Sequence, residues 1–424
     1  MNANRYRFIT RTIPFLDDHT TRGPGPLALR SGAAPHLLVW HPEHLAGLFG
    51  ADRDMAIAGS STIDPIVGTA SLLLTTGARH HAYRTVIGEQ LRGRKLVARR
   101  PVLSAPIERA VAALVPGHSF DPSAWSRQLT LRIIGDIVLG KADDSLLADF
   151  AAWIHGALGA PFRTFAYRYL RLPPPIGGPW RDFLRQRAAL DPALVAAGRA
   201  ATAESGTPPL ARTLIEAQPV LGALDDTELR DQLVSLLFPG HETTASAVAW
   251  ALFRLAVHDR LRRDLLDELA ATDADGSDAK RTPLLHAACL ETLRLTPPTL
   301  IGENRVLTQT QVLDGATWPP GTRLTPCIYI AHRHPDTYRR PREFVPERFL
   351  GRRRPGSVYL PFGGGTRRCP GADLALMEMR MILAAVLRSV GLSCPDPLRA
   401  TPQTRGAAMG PHRSLRLTAT RLRP

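Results

Sequence analysis

The chain lacks most of the features by which whole protein classes are recognised. Cysteine occurs four times in 424 residues, at Cys289, Cys327, Cys369 and Cys394, with no CxxC pair and no close spacing. A disulfide scaffold is thereby excluded, and a reducing cytoplasm is the expected compartment. The amino-terminal Met-Asn-Ala-Asn-Arg-Tyr-Arg-Phe has neither an apolar signal core nor a membrane-spanning run, so no membrane anchor is expected. Zinc-finger spacing, a basic heptad region, an aromatic-rich RNA signature and internal repeats are all missing. The excess of 53 Lys and Arg over 38 Asp and Glu, a formal net charge of +15, therefore does not point to nucleic acid. It leaves open an acidic partner protein docking on one basic face. With 44% apolar and 21% charged residues, the chain can bury a large core and a cofactor within it.

Periodicity gives a mainly α chain with small β-sheets. Strand signals at Leu37 to Trp40 pass through His41-Pro42-Glu43 into a helix that stops at Gly50, and after Gly77 the pattern is largely helical. The breaks at Pro116-Gly117, 172–179, Pro208-Pro209 and the stretch ending at Ser277 suit loops between helices. Asp225-Asp226-Thr227-Glu228 starts a helix that continues to about His258. Such a helix is roughly 50 Å long and should be central. Further helices are expected from Leu284 to Leu295 and from Ala372 to Val390, with β-type segments from Arg305 to Leu313, Thr322 to Ala331 and Ser414 to Thr420.

The strongest local pattern is Phe362-Gly-Gly-Gly-Thr-Arg-Arg-Cys369-Pro-Gly371, which runs directly into a helix. Glycines let the backbone approach a flat ligand, and a cysteine at a helix amino terminus is favoured as thiolate, which suits a metal and haem iron in particular. A phosphate loop would need Gly-Lys-Ser/Thr where this chain has Cys-Pro-Gly. Phe362-x-x-Gly365-x-Arg367-x-Cys369-x-Gly371 resembles the haem-binding loop of the cytochrome P-450 superfamily. The resemblance implies that Cys369 ligates the iron, that Phe362 packs beneath the loop, that Gly365 and Gly371 permit its turns, and that Arg367 reaches a haem propionate.

Three more segments resemble the family in the order it requires. Glu291-Thr-Leu-Arg294 places acid and guanidinium on one helical face, and with Arg348 of Pro346-Glu-Arg-Phe349 it resembles the family's buried three-residue network. Pro239-Gly-His-Glu-Thr-Thr244 resembles the oxygen-activation segment: Gly240 leaves room for dioxygen, Glu242 feeds protons through water, and the Thr243 hydroxyl assists. A zinc-protease HExxH is excluded, because Ala245 stands where its second histidine would be. Pro239 departs from the family's Ala or Gly and is expected to kink the helix and narrow the pocket. His80-His-Ala-Tyr-Arg84 resembles the propionate-binding HxxxR, with His81 the one-residue alternative, and Arg305 sits where the family has a further propionate arginine. Cys289, Cys327 (placed in a strand) and Cys394 read as unreactive thiols, and His332 and His334 are assigned no catalytic role.

The resemblance covers the chain from about Ala28 onward. It implies a prism-like fold with a long distal helix over one haem b, a single domain over 28–424, and an amino-terminal extension, 1–27, packed on it. The implied enzyme is a monomeric monooxygenase that inserts one atom of dioxygen into a hydrophobic small molecule, with electrons arriving from NAD(P)H through partners. Basic clusters at Arg92-Gly-Arg94-Lys95, Arg99-Arg100, Arg352-Arg353-Arg354 and Arg367-Arg368 would form the face for a ferredoxin or flavodoxin-type donor. The substrate pocket is expected from Ile63, Ile66, Val67, the region Pro161 to Tyr169, Leu233, Leu236, Pro239, Thr299, Leu300, Ile301 and Met409. A natural-product intermediate (polyketide, terpenoid or macrocycle) is the expected substrate. The alternatives are fatty-acid or xenobiotic hydroxylation, or a haem-thiolate isomerase or dehydratase that does not use dioxygen.

Overall fold

The computed structural model describes residues 3–32, 34–52, 55–57, 63–158, 178–202, 206–313, 315–351, 354–405 and 408–422. Seven helices shape the site: α1 (Pro42–Gly50), α2 (Gly77–Gln90), α3 (Pro122–Leu139), α4 (Asp144–Leu158), α5 (Asp226–Val257), α6 (Pro283–Leu295) and α7 (Ala372–Ser389). The main caps are those the sequence offers. Asp225 accepts from the Glu228 backbone N–H at 2.7 Å to start α5, and Asp121 accepts from Ser123 and Ala124 at 2.8 and 3.1 Å to start α3. At 32 residues α5 is roughly 48 Å long, and it is buried on nearly every side, as a helix crossing the middle of a core must be. It packs along α3 and against α6 and α7.

A five-stranded sheet gathers distant segments: β1 (Leu27–Arg30), β2 (His36–Val39), β3 (Ala56–Ile57), β4 (Arg305–Val306) and β5 (Arg323–Pro326), in spatial order β1-β2-β5-β4-β3. The β2/β5 pair is parallel, with His36 opposite Arg323 and Val39 opposite Pro326; the other pairs are antiparallel. The core correspondingly falls into two apolar clusters, a large one among the helices and a smaller one around this sheet. The segment before the sheet is tied to the smaller cluster: Phe15 and Leu16 are buried, and the Tyr329 hydroxyl donates to Asp17 at 3.0 Å.

Two expected strands differ. The segment Thr322 to Ala331 is strand only to Pro326; Ile328–Ala331 is a single helical turn, and Cys327 is its N-cap rather than a strand residue. Pro326 has no N–H with which to continue a ladder. The segment Arg305 to Leu313 splits into β4 and a separate strand, Gln311–Leu313, whose partner is Ala316–Trp318. Among the described residues no helix is long and apolar enough to cross a membrane.

Candidate functional site

The cysteine loop is built by backbone bonds that leave the sulfur free. Cys369 N–H donates to the Phe362 carbonyl at 2.8 Å, and Gly363 and Gly365 take φ of 68° and 65°, where a side chain would be strained. A Cβ on Gly365 would in addition fall 2.3 Å from Asp52, and one on Gly364 would strike the Phe49 ring. A Cβ on Gly371 would meet only the Cys369 sulfur, at 3.9 Å. Burial pushes the Cys369 thiol up, although the Gly371 N–H, Arg368 and Arg84 pull the other way. Nothing in the loop therefore makes a thiolate unaided; a cation facing the sulfur would.

The chemistry of the donors says what kind of cation fits. No cluster of three or more His, Cys, Asp or Glu among the described residues could hold a metal ion. A metal at Cys369 must therefore bring most of its own ligands, as porphyrin iron does. Around the sulfur lie Arg84, Arg367, Arg368 and, further out, Arg92. Arg84 has no hydrogen bond or ion pair among the described residues, and Arg367 meets only the carbonyls of Leu72 and Thr75 and, at 3.6 Å, the carboxylate of Glu303. Burial, then Arg367 and Arg84, push His80 down to about 4, so it is neutral at pH 7. His80 is buried beside these arginines, while its neighbour His81 is exposed. Under-neutralised cations next to a thiol suit a flat group carrying carboxylates, and haem fits on that ground.

Arg305 is more engaged than expected. Its guanidinium clamps Asp52 (Nε to Oδ1 at 2.5 Å, Nη2 to Oδ2 at 3.3 Å) and also donates to the carbonyls of Glu303 and Gly364. Asp52 in turn accepts from the Thr366 N–H and hydroxyl, both at 2.6 Å. With four of its five N–H groups so engaged, Arg305 fastens β4 to the cysteine loop and keeps one Nη1 N–H uncommitted. Burial raises the Asp52 carboxyl, but Arg305 and Thr366 outweigh it and hold the group below its usual range. Asp52 carries no sequence signal, because its partner lies 253 positions away.

Behind the loop, Glu291, Arg294 and Arg348 close on one another. Glu291 takes Arg294 Nε and Nη2 at 2.7 and 2.9 Å, Arg348 Nε at 3.0 Å and the Val345 N–H at 2.9 Å. Arg294 also donates to the carbonyls of His332, Pro341 and Glu343. His332 lies in this support, accepting the Leu360 N–H at Nε2 and stacking on Tyr359.

On α5 the residues from Asp231 to Phe253 are buried except Pro239, Gly240 and Thr243, which lie on one accessible face at spacing i, i+1, i+4. Thr243 Oγ1 donates to the Pro239 carbonyl at 2.9 Å, and α5 runs on past Pro239 without a break. The reason for Gly240 differs from the expected one: the Cβ it lacks would fall 2.6 Å from Ile134 of α3, so the glycine permits the helix crossing. Glu242 turns away from that face. Its Oε1 lies 3.3 Å from His241 Nε2 and 3.8 Å from His155 Nε2 of α4, neither of which the sequence singled out.

Of the expected pocket residues, Ile63, Pro239, Thr299 and Ile301 keep accessible surface, and Ile66, Leu236 and Leu300 keep a little. Val67 and Met409 keep none, as does Leu233, so they back the wall rather than line it. The region Pro161 to Tyr169 lies outside the described residues. Among the basic clusters, Arg99 is 1% exposed and donates to the carbonyls of Gln90 and Pro208, which removes it from any docking face. Arg100 pairs with Asp275, Arg354 stacks over Tyr338, and Arg352 and Arg353 lie outside the described residues. Arg92, Arg94, Lys95 and Arg368 are exposed.

The chain is similar to known proteins in sequence and in fold. The family model described as Cytochrome P450 matches residues 26–414. The protein named cytochrome P450 135B1 of Mycobacterium tuberculosis is 32% identical over 396 residues, covering 90% of this chain and 81% of its own. The solved structure of a retinoic acid-bound cyanobacterial CYP120A1 superposes with a TM-score of 0.85 at 23% identity, covering 99% and 96% of the two chains. A zebra fish cytochrome P450 solved with progesterone superposes at 0.80 and 22%, covering 96% and 99%.

Proposed function

The chain belongs to the cytochrome P450 family, and from that premise we propose that it oxygenates a medium-sized hydrophobic intermediate of natural-product biosynthesis, a polyketide, terpenoid or macrocycle. As a member it is a haem-thiolate monooxygenase that uses haem iron, dioxygen and electrons from redox partners. When bound, haem iron activates dioxygen so that one atom enters the substrate and the other leaves as water. Cys369 would hold the iron, and His80, Arg84 and Arg367 would hold the propionates. Glu291, Arg294 and Arg348 would hold the shelf beneath, and Asp52 with Arg305 would fasten the loop from the side. We assign residues 28–424 to one domain acting as a monomer.

The observation that carries this reading is the one accessible face between Asp231 and Phe253 of α5, formed by Pro239, Gly240 and Thr243, in a stretch otherwise buried. Ile63, Thr299 and Ile301, the other expected pocket residues that keep accessible surface, are chiefly apolar, and such a set favours a hydrophobic molecule. Thr243 presents a hydroxyl there, while the Glu242 carboxylate, turned toward His241 and His155, would supply protons to it only through water. The Pro239 ring fills part of this face and would restrict how a substrate lies across it. Relatives solved with retinoic acid and with progesterone accept rigid apolar molecules of that size, but at identities that bear on the fold alone.

A substrate titration tests the proposal. Macrolide and terpenoid compounds should shift the iron spin state at lower concentration than fatty acids or small xenobiotics; the reverse order would transfer the assignment to fatty-acid or xenobiotic hydroxylation. Turnover without reductant or dioxygen would replace oxygenation by isomerisation or dehydration, against which the Glu242 and Thr243 pair argues. The electron donor would be an acidic ferredoxin or flavodoxin-type protein docking on Arg92, Arg94, Lys95 and Arg368, and added salt should slow reduction by it.

A further inference from the structure

Glu242 is held between two histidines whose protons are fixed by the same device. His241 Nδ1 lies 2.9 Å from the Leu237 carbonyl, and His155 Nδ1 lies 3.1 Å from the Ala151 carbonyl, each four residues back on its own helix. A carbonyl only accepts, so each Nδ1 carries a hydrogen. Each Nε2 is then either a bare lone pair or the second N–H of an imidazolium, and both face Glu242 Oε1, at 3.3 and 3.8 Å. Two lone pairs facing a carboxylate oxygen repel; a proton at either nitrogen turns the contact into an attractive ion pair. His241 Nε2 is buried and makes no well-aligned hydrogen bond, so Glu242, 3.3 Å away, is the group it faces.

The three groups form a gradient of access. The side chain of His155 is 47% exposed, that of Glu242 9% and that of His241 1%. Charged or titratable groups facing Glu242 are Arg127 from α3, His155 from α4 and His241 from α5 itself. Glu242 also lines, with Ser123, Arg127, Ala245, Ser246, Ala408 and Gly410, a small cavity large enough for about one water. Burial raises the Glu242 carboxyl, but the hydrogen bond and charge of His241 and the charges of His155 and Arg127 outweigh it and hold the group below its usual range. Glu242 is thus an anion that faces two imidazole nitrogens and one guanidinium.

We propose that His155, Glu242 and His241 form a proton relay, in which His155 is the solvent-side port, Glu242 the carrier and His241 a buried store. This rests on the reading of Glu242 as the acid that supplies dioxygen chemistry. Each oxygen insertion takes up two protons with two electrons from the redox partner, and two imidazolium groups can hold one proton each. His155 recovers its proton from bulk water; His241 recovers its own through Glu242. His155 and His241 are positioning and proton-holding residues, since neither meets the substrate face that Thr243 presents.

The test uses the haem-loaded enzyme with a surrogate plant-type ferredoxin and its reductase, and measures hydrogen peroxide released per NAD(P)H consumed without substrate, from about pH 6 to 8.5. For the wild type the peroxide fraction should rise with pH. In His155→Gln it should be raised by about threefold or more at the acid end and should no longer vary with pH. His155→Lys keeps a cation against Glu242 but releases no proton near neutrality; it should restore the ion pair and not the pH dependence. A second reading needs no turnover: in the reduced, carbon-monoxide-bound protein labelled at histidine Cε1, Glu242→Gln should displace the curve of chemical shift against pH for both rings. The relay is overturned if His155→Gln keeps the wild-type peroxide profile, if His155→Lys restores the profile in full, or if the ring curves ignore Glu242→Gln. A wild type without the thiolate-type carbon monoxide spectrum would instead overturn the parent reading, and the two failures are distinct.

Discussion

Two clusters of arginine lie on either side of the cysteine loop and treat their charge in opposite ways. In the network of Glu291, Arg294 and Arg348 every side chain is closed: Arg294 meets two carboxylate oxygens and three carbonyls, and neither Glu291 nor Arg294 has exposed surface. In the cluster of Arg84, Arg367 and His80, Arg84 meets no acid among the described residues and Arg367 only a distant one. Closure is what a buried charge needs if it is only to hold a fold. An open cluster next to a free sulfur is tolerable only where something else completes it. The contrast separates residues that support the site from residues that wait for its occupant.

The comparison breaks most violently on the closed side. Arg348→Ala removes one partner of Glu291 and leaves the carboxylate under-paired in a fully buried place, a loss of about 3–5 kcal/mol. The expected outcome is a fall in unfolding midpoint large enough that little haem-loaded protein is recovered; an unfolding curve equal to that of the wild type would show that the network is dispensable. Next comes Pro239→Ala, which restores an N–H to the Ser235 carbonyl on α5. It should raise stability, by at most ~3 kcal/mol, while widening the accessible face and changing both substrate binding and product distribution. Unchanged binding and products would remove Pro239 from the pocket.

On the open side the expected pattern reverses. Arg84→Ala should leave the unfolding midpoint of haem-free protein within about 0.5 kcal/mol of wild type, because no contact is broken. Haem transfer to an acceptor protein should nevertheless run about tenfold faster, the scale of one lost charge-assisted bond. If both quantities fell together, Arg84 would belong with the closed set.

How far this division was legible in the sequence depends on how local each feature is. The cysteine loop, the ExxR pair and the cap of α5 sit within ten residues of chain, so spacing alone carries them, and the helices from Pro42, Pro283 and Ala372 start where their sequences signal. Asp52 and Arg305 meet across 253 positions, and nothing in either neighbourhood says which charge the other will find. Arg305 was therefore expected to be open and is largely engaged. Arg99 reads as surface charge beside Arg100, yet at the turn between the helices Gly93–Ala98 and Arg100–Ala112 it points inward to backbone carbonyls. Gly240 fitted the oxygen segment by pattern, while the atom that requires it belongs to Ile134 on another helix. His155 had no pattern at all; only the approach of α4 to Glu242 gives it a role.

The smallest effect is a matter of acid. His286 accepts from Arg380 Nη1 at its Nδ1, 3.2 Å away, so that nitrogen must be bare, and burial followed by the charge of Arg380 pushes the ring down to about 4 from an ordinary 6.5. His36, bonded to the Thr325 hydroxyl, is likewise pushed to about 4, by burial first and then by Arg323, Arg30 and Arg5. The unfolded chain takes these protons before the folded one does, so stability is complete above pH 6.5 and falls as pH drops from there toward 4. Neither histidine belongs to the closed network or to the open cluster, so this acid loss should be superimposed equally on Arg348→Ala and Arg84→Ala. His286→Gln, which keeps an acceptor for Arg380 and cannot be protonated, should flatten the slope of unfolding midpoint against pH within that window and leave the midpoint at pH 7.5 little changed. A slope as steep as that of the wild type would mean that acid acts through other groups, with His36, His80 and His332, which burial also pushes down, then the first to vary.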